Sequence, residues 1–205
     1  PFTSTYTAAK PSLVISPTKM NVFYRGLDNP VAVAVPGVTG DKLQVAVSNA
    51  QVRRDGNEYI INPGKDKECK VTVTAEINGS KTTFPPQIFR VKRVPPPTPE
   101  VLGQKGTVKF SKGKAATIKF IVAKLDDFLF DLKYIVTSFK MSVTVGGKVS
   151  EFSSKNNQLT PQMLSTIKAM SPGQFAVFKE VQAKMVGGKS SAPVNLDGNI
   201  ILEIK

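Results

Sequence analysis

Hydrophobic and polar positions alternate along this chain in short bursts. "SLVIS" from Ser12, "NVFY" from Asn21, "VAVAVP" from Val31 and "LQVAVS" from Leu43 are the first four. "EYIIN" from Glu58, "KVTVTAEI" from Lys70 and "QIFRVKRV" from Gln87 follow. Each is rich in β-branched or aromatic residues and too short for a helical face, so each is predicted as a strand. Turn signals separate them: "GLDNP", "PGVTGD", "RDGN", "NPGKD" and "NGS". Seven short strands spaced about 8–12 residues apart predict an immunoglobulin-like β-sandwich over residues 1–94.

Beyond residue 100 the runs lengthen. "TVKF", "ATIKFIVAKL", "FLFDLKYIVTSFKMSVTV", "KVSEFSS", "FAVFKEVQAKM" and "NIILEIK" all read as strands. The longest, Phe128 to Val145, is expected to bend or bulge near Asp131–Lys133. One helix stands out near 161–170, in "LTPQMLSTIKAMSPG". Thr160 suits its N-cap and Pro161 its first position. Met163, Leu164, Ile167 and Met170 recur at helical spacing, and Ser171-Pro172-Gly173 stops it. The fold class expected is mainly β, with two domains. A sandwich is followed by a β-rich domain, 101–205, that carries one short helix. The final strand places Lys205 at or near a natural terminus.

Between the two lies "RVKRVPPPTPEV". Pro95, Pro96, Pro97 and Pro99 lack the N–H that a central strand needs. The run is read as a stiff spacer over 95–100, extended at about 3 Å per residue. A proline-rich ligand for another domain is the other reading.

Composition then narrows the chemistry. The chain has no histidine, which removes the commonest general base and metal ligand. Its one cysteine, Cys69, makes no internal disulfide and sits in a strand-like run, where a small core residue is expected. No apolar run approaches the ~20 residues that span a bilayer. Net charge is +13, spread evenly. Residues 1–95 hold 13 Lys and Arg against 7 Asp and Glu, and residues 96–205 hold 15 against 8. Acidic partners follow from this balance. All basic residues of the second part are lysine, which argues against specific reading of DNA bases.

Four stretches resemble chemical motifs. "VGGKSS" at 186–191 echoes a phosphate loop but lacks its first glycine and a following helix, so it reads as a hairpin turn. Asp126, Asp127 and Asp131 cluster in "LDDFLFD". A paired-acid or calcium site is conceivable there, but a turn whose acids pair with nearby lysines is the simpler reading. Lys105, Lys109, Lys112, Lys114 and Lys119 interleave with Phe110 and Phe120. They read as a solvated strand face, a surface for an acidic protein partner, or a stacking platform for single-stranded nucleic acid. "NGS" at 78–80 matches a glycosylation acceptor and, more simply, a tight hairpin.

The stretch "MNVFYRGLDNPVAVAVPGV" reads as a corner between strands. Gly26 supplies a left-handed conformation, and Asp28-Asn29-Pro30 supplies turn chemistry. Arg25 is expected to cap the turn or pair with an acid. Together with the preceding "VISPTK", then "FRVKRVPPPTPEV", "LDDFLFDLKYIVTSFKMSV" and "SPGQFAVFKEVQAK", this stretch resembles the GldM/PorM family of gliding motility and type IX secretion, most closely its PorM form. The resemblance implies a homodimeric periplasmic protein anchored in the inner membrane by an N-terminal helix that lies outside this chain. It implies a motor partner of the GldL or PorL type and an outer-membrane-associated ring of the GldK/GldN or PorK/PorN type. It carries no catalytic residue, no cofactor and no metal. The other reading of paired immunoglobulin-like domains is a cell-surface or periplasmic adhesion module. Nucleic-acid binding rests on charge alone.

Overall fold

In the computed structural model the described residues are 20–145, 147–187 and 192–205. The expected strand at "SLVIS", the family-like "VISPTK" and most of the "VGGKSS" turn lie outside them. The chain packs as two units, divided between Arg93 and Val94.

In the first unit alternation sets the layers. Phe23, Cys69 and Val71 bury their side chains from one sheet and Ile61 from the other, with Val31, Val45, Val52, Phe89 and Val91 half-buried around them. The strands are β1 (Val22–Tyr24), β2 (Asn29–Ala32), β3 (Leu43–Val47), β4 (Ala50–Asp55), β5 (Glu58–Pro63), β6 (Glu68–Ile77), β7 (Ser80–Thr83) and β8 (Gln87–Lys92). One sheet runs β1-β8-β6-β3, with β7 on β6, and the other runs β2-β5-β4. β1 lies parallel to β8, and the remaining ladders of this unit are antiparallel. The rings of Phe23 and Phe89 stack 4.3 Å apart across the β1–β8 ladder. Cys69 is fully buried, as a small core residue is.

Three details differ from the sequence reading. Asn29 and Pro30 belong to β2 rather than to a turn, and β2 ends at Ala32. Ala32 pairs with Glu58, the first residue of β5, so beyond it the partner strand has turned away and the ladder stops. β4 was not expected: beyond Val52 its sequence is charged, and the ladder to β5 makes it a strand. β7 was not expected either, because all its residues are exposed. It exists because Asn78 (φ 51°) and Gly79 (φ 78°) fold Ser80 back onto Ile77, the hairpin read from "NGS".

The second unit holds β9 (Thr98–Glu100), β10 (Thr107–Phe110), α1 (Lys112–Ala115), β11 (Val122–Lys124), β12 (Tyr134–Val145), β13 (Lys148–Ser154), α2 (Pro161–Ala169), β14 (Phe175–Met185), β15 (Val194–Asn195) and β16 (Ile200–Ile204). The main sheet runs β10-β16-β14-β12-β13, with β15 beside β14. Inward residues of four strands, among them Phe110, Phe139, Met141, Phe178 and Leu202, form one core with Ala115 of α1 and Met163 and Ile167 of α2. Phe139 and Phe178 meet edge to face, with centroids 6.1 Å apart. The helices therefore cover one face of the sheet, and the other stays open. Thr160 caps α2 by accepting from Met163 N at 3.3 Å, with Pro161 in the first turn, as the sequence implied.

Here too the structure corrects the reading. The spacer is shorter than 95–100. Thr98–Glu100 is a strand antiparallel to β11, Pro97 and Pro99 are buried, and Pro97 O accepts from Asp197 N at 2.9 Å. A proline is tolerated in β9 because the strand pairs on one side only. Pro95 and Pro96 alone remain exposed. "ATIKFIVAKL" is a strand only at Val122–Lys124, and a second, four-residue helix precedes it. Ser111 accepts from Lys114 N and starts that helix, and an N-cap serine among lysines gives no hydrophobic pattern. Phe128–Lys133 lies outside β12, whose irregularity falls at Val136–Lys140 instead, opposite Glu180 with its φ of 51°.

Candidate partner-binding surface

The corner from Tyr24 to Pro30 is tied down, with its polar groups satisfied inside the first unit. Gly26 takes φ 80°, as the sharp turn requires. Asn29 is 3% exposed and makes four hydrogen bonds to main chain at Tyr24, Leu27 and Ile61. Arg25 pairs with no acid in these contacts. Its Nε donates to Gly64 O at 3.0 Å and its guanidinium also reaches Lys65 O, so it holds the β5–β6 loop. Asp28 accepts from Arg53 at 2.9 Å and from Asn62 at 2.6 Å.

The aspartates do not converge. Asp126 pairs with Lys105 and accepts from Thr98 Oγ1 at 3.5 Å. The hydrogen bond from Lys105 holds the Asp126 carboxyl below its usual range and raises the Lys105 ammonium in turn. Asp127 is a left-handed turn residue, φ 50°. Among the described residues no three His, Cys, Asp or Glu side chains stand where they could hold a metal ion. Cys69 is fully buried, and burial raises its thiol pKa, the opposite of what an exposed, reactive thiolate needs.

The five lysines singled out from the sequence do not form one surface. Lys105 faces Asp126 in the turn before β10. Lys109 projects from the open face of the sheet and bridges Glu203, its cross-strand neighbour, at 2.8 Å. Lys112 and Lys114 sit on α1, on the covered side, with the Lys114 ammonium 4.5 Å from the centroid of Phe110. Phe110 itself points into the core, so it stacks with no partner molecule. Lys119 is exposed just beyond α1, beside Phe120.

The open face carries an ion network that no spacing in the sequence announces. Lys179 meets Glu151 at 2.7 Å, and Lys140 meets Glu180 at 2.9 Å and Glu151 at 3.6 Å. Ser142 also donates to Glu151, at 3.2 Å. The Lys179 hydrogen bond lowers the Glu151 carboxyl, and the Glu180 hydrogen bond raises the Lys140 ammonium. Sheet register brings these groups together: Lys140 lies opposite Lys179, and Ser142 opposite Glu151. A two-residue alternation places each of them on a face but cannot name its neighbour.

Residues 12–92 match the GldM third domain, and residues 95–205 match the GldM C-terminal domain. The chain belongs to the GldM family. It is therefore a component of the gliding-motility and type IX secretion apparatus, in a family that is structural rather than enzymatic. No curated protein matches it. Among solved structures, Clostridium thermocellum CbhA fibronectin(III)-like modules are similar at 15% identity and a TM-score of 0.28, over 90% of this chain and 89% of that one. The human mucin-like protocadherin EC1-2 is similar at 12% identity and a TM-score of 0.25, over 89% and 93%. Scores this low carry no further argument. Family members are anchored in the inner membrane and expose periplasmic domains. Among the described residues of this chain no helix is long and apolar enough to cross a membrane.

Proposed function

We propose that this chain is the periplasmic end of a homodimeric, inner-membrane-anchored component that couples a proton-motive-force-driven motor to the outer-membrane-associated ring. The observation that carries this reading is the match of two consecutive segments, in order, to the third and C-terminal domains of GldM. Both units are built on β-sheets held by hydrogen-bonded ladders, which suits a part that bears load. The exposed Pro95–Pro96 step at the start of the second unit restricts the backbone where Gly or Ser would free it. In this reading the motor partner binds the membrane-anchored part of the protein, and the ring binds here.

The test is co-purification of ring components with the full-length protein, with and without residues 94–205, in cells of the source organism. Ring components should be lost with the truncation, and secretion with them. Retention of the ring by the truncated protein would move the contact elsewhere and overturn the reading. Full secretion after Pro95→Gly and Pro96→Ser together would overturn the part played by the stiff step.

A further inference from the structure

Charge in the second unit is segregated in a way that net charge conceals. Residues 101–125 contain no Asp or Glu, and neither do residues 152–179. The lysines of these two segments fall into two groups. Lys105, Lys109, Lys124 and Lys179 each pair with a carboxylate from outside the segments: Asp126, Glu203, Glu100 and Glu151. Lys112, Lys114, Lys119, Lys155 and Lys168 are exposed, and among the described residues no ion pair involves them.

The second group belongs to one layer. Lys112 and Lys114 lie on α1 and Lys168 on α2, and the two helices contact each other. Lys119 and Lys155 lie on the connected turns beside them. Leu159 N donates to Lys119 O at 2.9 Å, Ile121 N donates to Asn157 O at 2.8 Å, and Phe120 bridges Gln158. Phe120 is 51% exposed in this layer, and Gln158 and Gln162 are exposed near it. On the open face Lys109, Lys140 and Lys179 are neutralised, while Lys184 is exposed with no ion pair among the described residues; the helical layer has none of its five cations neutralised. Positive potential therefore concentrates on the helical side.

We propose that this helical layer is a docking surface for an acidic protein face, with Lys112, Lys114, Lys119, Lys155 and Lys168 as its cations and Phe120 as its apolar contact. Protein carboxylates fit it better than phosphates do. The second unit has no arginine, the residue whose planar fork matches phosphate. One exposed aromatic offers an anchor for a protein interface but no platform for successive bases. Exposed carboxamides beside the lysines suit a polar rim. The inference names a surface and a partner chemistry, and it holds whether or not that partner is the ring.

The test measures binding of the 205-residue chain to a fluorescent glutamate-rich peptide, to phosphatidylglycerol vesicles and to single-stranded DNA, at low and high salt. A variant with Lys112→Glu, Lys155→Glu and Lys168→Glu is compared with a control of equal charge change on the first unit, Lys70→Glu, Lys81→Glu and Lys92→Glu. Lys114 is left in place because it rests over Phe110. The expected result is a tenfold or greater loss of peptide affinity in the helical-layer variant, under threefold loss in the control, and circular dichroism unchanged in both. Equal losses would mean that net charge alone attracts the peptide and would overturn the proposal. Tighter binding to vesicles or DNA than to the peptide would overturn the choice of partner. Should the glutamate variant misfold, the same three positions as Gln serve, with an expected loss of about threefold. Ring loss from the truncated full-length protein, tested separately, reports on the functional reading and leaves this surface to be judged by the peptide.

Discussion

Asn29 embraces the Tyr24 peptide from both sides: Tyr24 N donates to Asn29 Oδ1 at 2.8 Å, and Asn29 Nδ2 donates to Tyr24 O at 2.9 Å. The side chain imitates an antiparallel strand, and the same Nδ2 also reaches Leu27 O at 3.0 Å and Ile61 O at 3.1 Å. One buried carboxamide thus ties the corner after β1 to the centre of the opposite sheet. Removing it leaves buried polar groups unmet, at about 1–3 kcal/mol each when water does not replace it. Asn29→Leu should therefore destabilise the first unit by about 3 kcal/mol in urea unfolding followed by circular dichroism. Asn29→Asp should be destabilising at neutral pH, because a carboxylate would face three carbonyl oxygens, and should recover part of the loss in acid. An Asp variant insensitive to pH would show that the three carbonyls are not the determinant.

The boundary of the second unit gives the next prediction. Thr98–Glu100 pairs with Val122–Lys124, Pro97 O accepts from Asp197, and Glu100 is buried within 3.9 Å of Lys124. A fragment starting at Val94 keeps all of these, and a fragment starting at Val101 loses them. The expected outcome is a cooperative thermal transition for 94–205 and a transition several degrees lower for 101–205, since about 1 kcal/mol shifts Tm by roughly 4–8 °C in a domain of this size. Equal Tm values would return residues 95–100 to the role of a spacer.

That boundary also marks where the sequence stopped being informative. Proline reports a missing N–H, and from this an extended run follows, but not which neighbour the run lies against. Pro97 and Pro99 are buried by contacts from residues far along the chain. β4 and β7 are strands for the same reason: the pairing with β5 and β6 makes them, and Arg53-Arg54 or Ser80–Thr83 alone carry no pattern. By contrast α2 was legible, because Thr160, Pro161 and the apolar spacing act within one turn of each other. The lysine surface was half legible. Alternation puts Lys109 outward and Phe110 inward, as observed. That Lys109 is spent on Glu203, while Lys155 and Lys168 stand with Lys112, needs the sheet register and the helix packing.

The ion network on the open sheet face has a signature in pH. Glu151 is lowered from its ordinary 4.5, first by the hydrogen bond from Lys179 and then by the charges of Lys179 and Lys140. A carboxyl depressed on folding contributes stability that is complete above its unfolded value and is lost as pH falls through the folded one. Lys140 is raised above its ordinary 10.5, first by the hydrogen bond to Glu180, so its contribution is complete below that value and is lost as pH rises through the folded one. The side chains are between 35% and 58% exposed, so water and salt screen both effects. Wild-type protein should therefore lose Tm between about pH 5 and pH 3 more steeply than Glu151→Gln does. The difference between the two should shrink in about 1 M salt, where the Debye length is near 3 Å. Lys179→Met should flatten the acid limb in the same way, because it removes the first cause of the depression. If both variants tracked the wild type in parallel through the acid window, Glu151 would be titrating as an isolated carboxylate and the cross-strand contacts would contribute nothing to folding.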